Sequence, residues 1–301
     1  MAGMNTQLIE LRALAAKAEN RRTETGIPRV AMVQGAIPEH MLAAVYDPMI
    51  NLILQGSKSM TVGDRTLRYD PATYFVMSIE LPAVGTVHPA ATGEPYLAVS
   101  LTLDPTVLAT LLGDLPKPAG RYDHEAGFSV AAVTPELMDA WLRLLRLMGN
   151  PEAIAALAPV YEREILYRVL QGPHGWMLRE IAAPDTAMAR VSQAIQWIRR
   201  DFAEPIRVEA LAQKAAMSVS AFHRHFKAVT NLSPLQYQKR VRLLQARTLM
   251  VASAKNVTSA AFEVGYESPT QFSRDYARVF GLPPARDAAR ILGESRTPKA
   301  K

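Results

Sequence analysis

Ten side chains in the last third of the chain have types and spacing suited to reading duplex DNA. In residues 217–234 they are Ser218, Ser220, His223, Arg224 and Lys227. In residues 266–284 they are Ser268, Thr270, Gln271, Ser273 and Arg274. An arginine fork can take guanine O6 and N7 together, serine contacts a base edge or a phosphate, and lysine a turn later meets phosphate. These polar residues fall opposite an apolar row at helical spacing: Phe222, Phe226 and Val229 in the first segment, Phe272, Tyr276 and Val279 in the second. Ser218 and Ser268 each open their segment as helix caps, and Asn231-Leu232 or Gly281-Leu282, followed by proline, closes it.

Each polar row needs a supporting helix and a tight turn to present it. Over 209–230, Leu211, Ala212 and Ala215 form the inner face of a short helix, Ala216-Met217 a turn, and 218–229 the reading helix. Over 257–280 the plan repeats, with Ala260, Ala261 and Val264 inward and Gly265 at the turn. A helix predicted over 233–251 would span about 27 Å and could set the two reading helices near one DNA turn apart, roughly 34 Å. Its Lys239, Arg240, Arg242 and Arg247 can touch the DNA backbone or pair locally. Ala277 stands where the first unit has Lys227, so the second unit is expected to hold DNA more weakly.

The pieces LAQKAAMSVSAFHRHFKAVTNLSPLQYQKRVRLLQAR and FEVGYESPTQFSRDYARVFGLPP resemble the DNA-binding domain of the AraC/XylS family of bacterial transcription regulators. The resemblance covers roughly a third of the chain. It implies that 218–229 and 268–280 read adjacent major grooves of promoter DNA. Asn231 replaces the family's usual glycine, Ala277 a usual lysine, and the closing ARDAAR lacks a usual tyrosine.

The first half reads differently. A helix is expected over 8–19. Between 46 and 103 the runs MINLILQ, SMTV, TLRY, TYFVMSI and PYLAVSLTL, parted by turn signals, predict antiparallel strands. Helical periodicity returns over 106–112, 135–148 and 154–170, breaks at 172–175, and gives way to a short linker at 182–186. Beyond it the chain reads all-helical, ending in a ragged tail. This half resembles the sensor region of an AraC subgroup that includes YqhC-like activators of responses to small aldehydes. The resemblance implies a cupin-like β-barrel with flanking helices, serving effector binding and dimerisation. The expected fold class is therefore α+β, with a sensor domain at 1–186 and an all-α double helix-turn-helix domain at 187–301. Tyr46, Gln55, Tyr74, Met77, Ser78 and Tyr96 are candidates to line an effector pocket. Leu137, Trp141, Leu144, Leu145 and Met148 form a periodic face suited to core or to a dimer seam.

Composition narrows the function classes. From residue 188 on there are 19 Lys and Arg against 8 Asp and Glu; the preceding 187 residues hold 15 against 20. A basic module joined to a mildly acidic one points to a nucleic-acid partner. There is no cysteine, which excludes disulfides, thiolate zinc sites and cysteine-based alkyl transfer. His40, His88 and His124 are scattered, the one His-x-His pair (His223, His225) falls on a reading helix, and no nucleophile elbow occurs, so no metal, cofactor or catalysis is expected. With no signal-like leader or apolar span, a cytoplasmic, non-membrane protein is expected. The partners expected are double-stranded promoter DNA, a small-molecule effector, RNA polymerase if it activates, and a second copy as homodimer. The alternative is a constitutive repressor whose first half only dimerises.

Overall fold

The computed structural model describes residues 2–37, 42–116, 127–183 and 186–296. A helix, α1 (Ala2–Ala15), precedes ten strands: β1 (Thr23–Glu24), β2 (Val30–Gly35), β3 (Ala43–Tyr46), β4 (Met49–Gln55), β5 (Ser57–Val62), β6 (Arg65–Tyr69), β7 (Thr73–Met77), β8 (Leu81–His88), β9 (Tyr96–Thr102) and, after helix α2 (Pro105–Gly113), β10 (Phe128–Ala132). All pairings are antiparallel. One sheet runs β1-β2-β9-β4-β7-β10 and the other β3-β8-β5-β6, with the edge strand β6 beside β7 and β10. The expected sheet-rich first half and helical second half are both present.

The sheets form the two walls of a barrel, and burial follows from that. Strand β4 is buried at nearly every position because helix α1 covers one face and the opposite sheet the other. Strand β5, SKSMTV, alternates instead, burying Lys58, Met60 and Val62 on one face. Five strands carried too weak a pattern to be expected from sequence. Pro82 and Gly85 read as strand breakers, yet β8 forms and lies between β3 and β5. Helix α1 stops at Ala15 rather than Glu19, where the Ala18 amide turns back to the Ala15 carbonyl.

Helices α3 (Pro135–Arg146), α4 (Ile154–Leu170) and α5 (Gly175–Ala182) pack behind the barrel. Leu137, Trp141, Leu144 and Leu145 are all buried within this core and Met148 packs against it, so the face suited to a dimer seam is intramolecular. The linker expected at 182–186 includes residues 184 and 185, which lie outside the described residues. Beyond it come α6 (Ala187–Arg200), α7 (Val208–Lys214), α8 (Val219–Thr230), α9 (Pro234–Ala252), α10 (Val257–Glu263), α11 (Pro269–Phe280) and α12 (Pro284–Arg296). Helix α12 replaces the expected ragged tail. Its Asp287 is fully buried and binds Arg247 and Tyr276, a tertiary anchor that no local pattern announces.

Apolar packing divides unevenly. One continuous core runs from the barrel through α6, α7 and α8 to Val241 of α9. A second, smaller core contains Leu243, Met250, Ala260, Val264, Phe272 and Tyr276. The first helix-turn-helix is thus packed into the barrel's core and the second stands apart.

Candidate nucleic-acid interface and effector cavity

The two helix-turn-helix units share a backbone device. In the first, Ala216 takes a left-handed conformation (φ 50°) and the Met217 amide donates to the Ala212 carbonyl at 2.9 Å. In the second, Gly265 is left-handed (φ 84°) and the Tyr266 amide donates to the Ala261 carbonyl at 3.0 Å. Ser218 caps α8 by accepting from the Ala221 amide, and Ser268 caps α11 by accepting from the Gln271 amide. Asn231 and Gly281 close the two helices in the same left-handed conformation. Aromatic pairs fix the inner faces: Phe222 against Phe226 and Phe226 against Tyr237, then Tyr266 against Phe272 and Phe272 against Tyr276.

With those faces buried, the polar rows point outward. Ser220, His223, Arg224 and Lys227 are exposed on α8; Thr270, Gln271 and Arg274 are exposed on α11 and Ser273 is half-buried. Gln271 also reaches one turn forward along its helix to donate to Asp275 at 3.0 Å. Ser218 and Ser268 remain exposed at the helix starts.

The basic residues of α9 part ways. Arg242 donates to the Phe202, Ala203, Glu204 and Gly265 carbonyls, tying the turn of the second unit to the segment after α6. Arg247, nearly buried, pairs with Asp287 at 2.8 Å, and Lys239 pairs with Asp275 at 3.0 Å. Burial pushes the Asp287 carboxyl up, but hydrogen bonds from Arg290, Arg247 and Tyr276 outweigh it and hold the group below its usual range. Arg242 and Arg247 are therefore structural clamps, and of the four candidates Arg240 alone has no carboxylate or carbonyl partner among the described residues.

A cavity of about 340 Å³ opens inside the barrel wall between the sheets. Of the pocket candidates, Tyr46 and Tyr96 line it. Gln55 does not: its amide donates to the Pro95 carbonyl at a β-bulge. Tyr74 and Met77 are buried in the packed core, Tyr74 with its hydroxyl toward the Gly172 turn. Ser78 hydrogen-bonds the Gly127 carbonyl and lines a different cavity, between the barrel and α6. Sequence reasoning missed Lys58 and Asn51, which do line the barrel cavity. The signal was available for Lys58, which stands in phase with Met60 and Val62.

Comparison with known proteins assigns the family. The profile of AraC-type transcriptional regulator N-termini matches residues 26–177, and that of a helix-turn-helix domain matches 211–290. The chain belongs to the AraC-type transcriptional regulators. It is 35% identical to the HTH-type transcriptional activator RhaS of Escherichia fergusonii over 145 residues, 46% of this chain and 51% of that protein. It is 34% identical to RhaS of Klebsiella pneumoniae over 143 residues, 46% of this chain and 49% of that one. The chain thus spans about half the length of the curated relatives it matches. In fold it resembles ToxT of Vibrio cholerae, at 10% identity and a TM-score of 0.55, over 87% of this chain and 98% of that one.

In this AraC-type chain the barrel grips the end of the first reading helix. The Asn231 side chain donates to the Val62 carbonyl at 3.0 Å and to the Asp64 carboxylate, both at the β5–β6 turn. Gly63 at that turn has φ 63°, and a Cβ there would lie 2.8 Å from the Asn231 carbonyl. The Gly127 amide donates to the Val229 carbonyl at 2.7 Å, Tyr237 donates to the Glu80 carbonyl, and Arg199 pairs with Glu80 at 2.6 Å. Among the described residues no group of three His, Asp or Glu could hold a metal ion, and no helix is long and apolar enough to cross a membrane. His88 faces Ser59; His40 and His124 lie outside the described residues.

Proposed function

We propose that this AraC-type regulator binds promoter DNA sequence-specifically through α8 and α11 and activates transcription in response to a small molecule. The observation that carries the reading is the doubled cap, turn and helix geometry, each copy exposing a short polar row with one arginine, Arg224 or Arg274. Ser218, Ser220, His223 and Lys227, with Ser268, Thr270, Gln271 and Ser273, complete the proposed contacts. Activation is supported by the similarity to proteins named as activators. We place the sensor at 1–186 and the DNA module at 187–301; RNA polymerase and a second copy of the chain are its proposed protein partners. The likeness of the first half to YqhC-like sensors suggests an aldehyde or related metabolite as effector, and the cavity beside Tyr46 and Tyr96 supports a chamber for one.

Affinity selection from a random duplex pool, followed by footprinting, tests this. The selected site should be protected at two major-groove segments on one face, with affinity falling as salt rises. Arg224→Ala should cost about 1–3 kcal/mol and relax preference at one base pair, while Lys227→Ala weakens all sequences alike. A pool that yields no preferred sequence, or an Arg224→Ala variant with unchanged preference, would defeat the reading.

A further inference from the structure

Lys58 is the unusual group on the barrel cavity. It sits on the inward face of β5, 5% exposed, beside apolar lining residues such as Met32, Val45 and Ala98. Among the described residues none forms an ion pair with it. Among the described residues its ammonium lies over the Tyr46 ring, with Nζ 5.1 Å from the ring centroid. A buried charge without a counter-charge is costly, and proteins ordinarily pair it or expel it.

Here the wall leaves room for the lysine stem. Gly85 of β8 pairs with Met60 beside Lys58, and a Cβ at Gly85 would lie 2.9 Å from Lys58 Cε and 3.2 Å from the Tyr46 hydroxyl. The Gly85 backbone is not left-handed; its missing side chain leaves room for the lysine stem, the Tyr46 phenol and Leu42. The Tyr46 hydroxyl is held by donating to the Leu42 carbonyl at 2.7 Å, which keeps the ring under the ammonium. The cavity therefore offers a mainly apolar chamber in which Lys58 is a positioned cation with no ion-pair partner among the described residues.

We infer that this cavity takes a small amphipathic monoanion, a carboxylate whose head pairs with Lys58 and whose hydrocarbon body fills the apolar wall. The inference rests on the reading of the barrel as an effector chamber and narrows its ligand from an aldehyde or related metabolite to a carboxylate. A bound carboxylate supplies the missing counter-charge, and the pair is strengthened by its dry surroundings. Burial lowers the Lys58 ammonium from its usual range to about 8, so it is still mostly charged near neutral pH. The other ionisable groups lining the cavity are Asp47, Arg21, Arg22, Tyr46 and Tyr96; Tyr69 lies opposite Lys58 on β6. Burial pushes all three phenols upward, away from this range.

Calorimetric titration of the full chain with butanoate, hexanoate and octanoate, each beside its alcohol and aldehyde, tests the class. The best acid should bind at least about tenfold more tightly than its alcohol. Its affinity should fall as pH rises above about 8, because the free protein then loses the ammonium. Lys58→Met should abolish the preference for acid over alcohol, and Lys58→Arg should retain part of it. Lys58→Met removes an unpaired buried charge, so its melting temperature should equal or exceed that of the parent. If Lys58→Met fails to fold, the pH series on the parent chain decides instead. Alcohols or aldehydes that bind as well as the acids, an aldehyde that borohydride fixes to Lys58, or no binding by any acid would overturn the anion assignment. Acid binding that needs Lys58 but leaves affinity for the selected DNA unchanged would uphold the site and refute its role as effector chamber.

Discussion

The two helix-turn-helix units are near copies in backbone and opposites in how they are held. The first is embedded: Phe222, Phe226, Val229 and Tyr237 belong to the same apolar core as the barrel, and the β5–β6 turn hydrogen-bonds Asn231 at the end of its reading helix. The second has a core of its own and is tied down by polar clamps, Arg242 on the turn carbonyls and Asp287 on Arg247, Tyr276 and Arg290. Equal recognition devices can thus differ in mechanical coupling. A change in the barrel reaches the first reading helix through direct hydrogen bonds, and reaches the second through α9 and the segment after α6.

The comparison breaks hardest at Asp287. Asp287→Ala would leave Arg247 buried without a carboxylate and Tyr276 without its acceptor, at a cost of about 3–5 kcal/mol. The loss should be local. Hydrogen exchange should show α10, α11 and α12 losing protection while α7 and α8 keep theirs; uniform loss would mean the two units are not separately held.

The turn residues give the next effect. Gly265→Ala places a Cβ 1.9 Å from the Ala203 carbonyl oxygen at a left-handed position, and should destabilise by about 2–4 kcal/mol. The matching change in the first unit, Ala216→Gly, relieves a left-handed alanine and should be neutral or stabilise by up to about 1 kcal/mol. Thermal melts of the two variants should therefore move in opposite directions or differ by several degrees.

Asn231 provides the finest test. Asn231→Gly keeps the left-handed cap, since glycine adopts φ 59° freely, and removes the side-chain bonds to Val62 and Asp64. It should cost about 1–2 kcal/mol in stability and weaken any effector response more than it weakens DNA binding. Gly281→Asn in the second unit, where no barrel segment hydrogen-bonds the cap among the described residues, should leave the response unaltered.

Much of this was legible in the chain. Serine caps, apolar rows three and four apart and a glycine or proline at each stop fix α8 and α11 to within a residue, because helix ends depend on local hydrogen bonds and backbone angles. The same holds for β4, β7 and β9, whose apolar runs are long enough to read alone. By contrast β8 needed its neighbours: Pro82 and Gly85 are tolerated because β3 and β5 flank the strand. The pocket residues fared worst for the same reason. Tyr74 and Met77 lie in a strand that was foreseen and Ser78 just after it, but which wall faces the cavity depends on how two sheets close, and that placed Lys58 there instead.

By itself the sequence determined the repeated reading helices, their exposed arginines and the basic second half, since all three follow from residue order and periodicity. Tertiary structure alone decided that Arg242 and Arg247 serve the fold, that α12 locks the second unit, and that, among the described residues, the barrel hydrogen-bonds Asn231 but not Gly281. Each of these is a contact between residues far apart in the chain, where partner geometry, not local propensity, sets the energy.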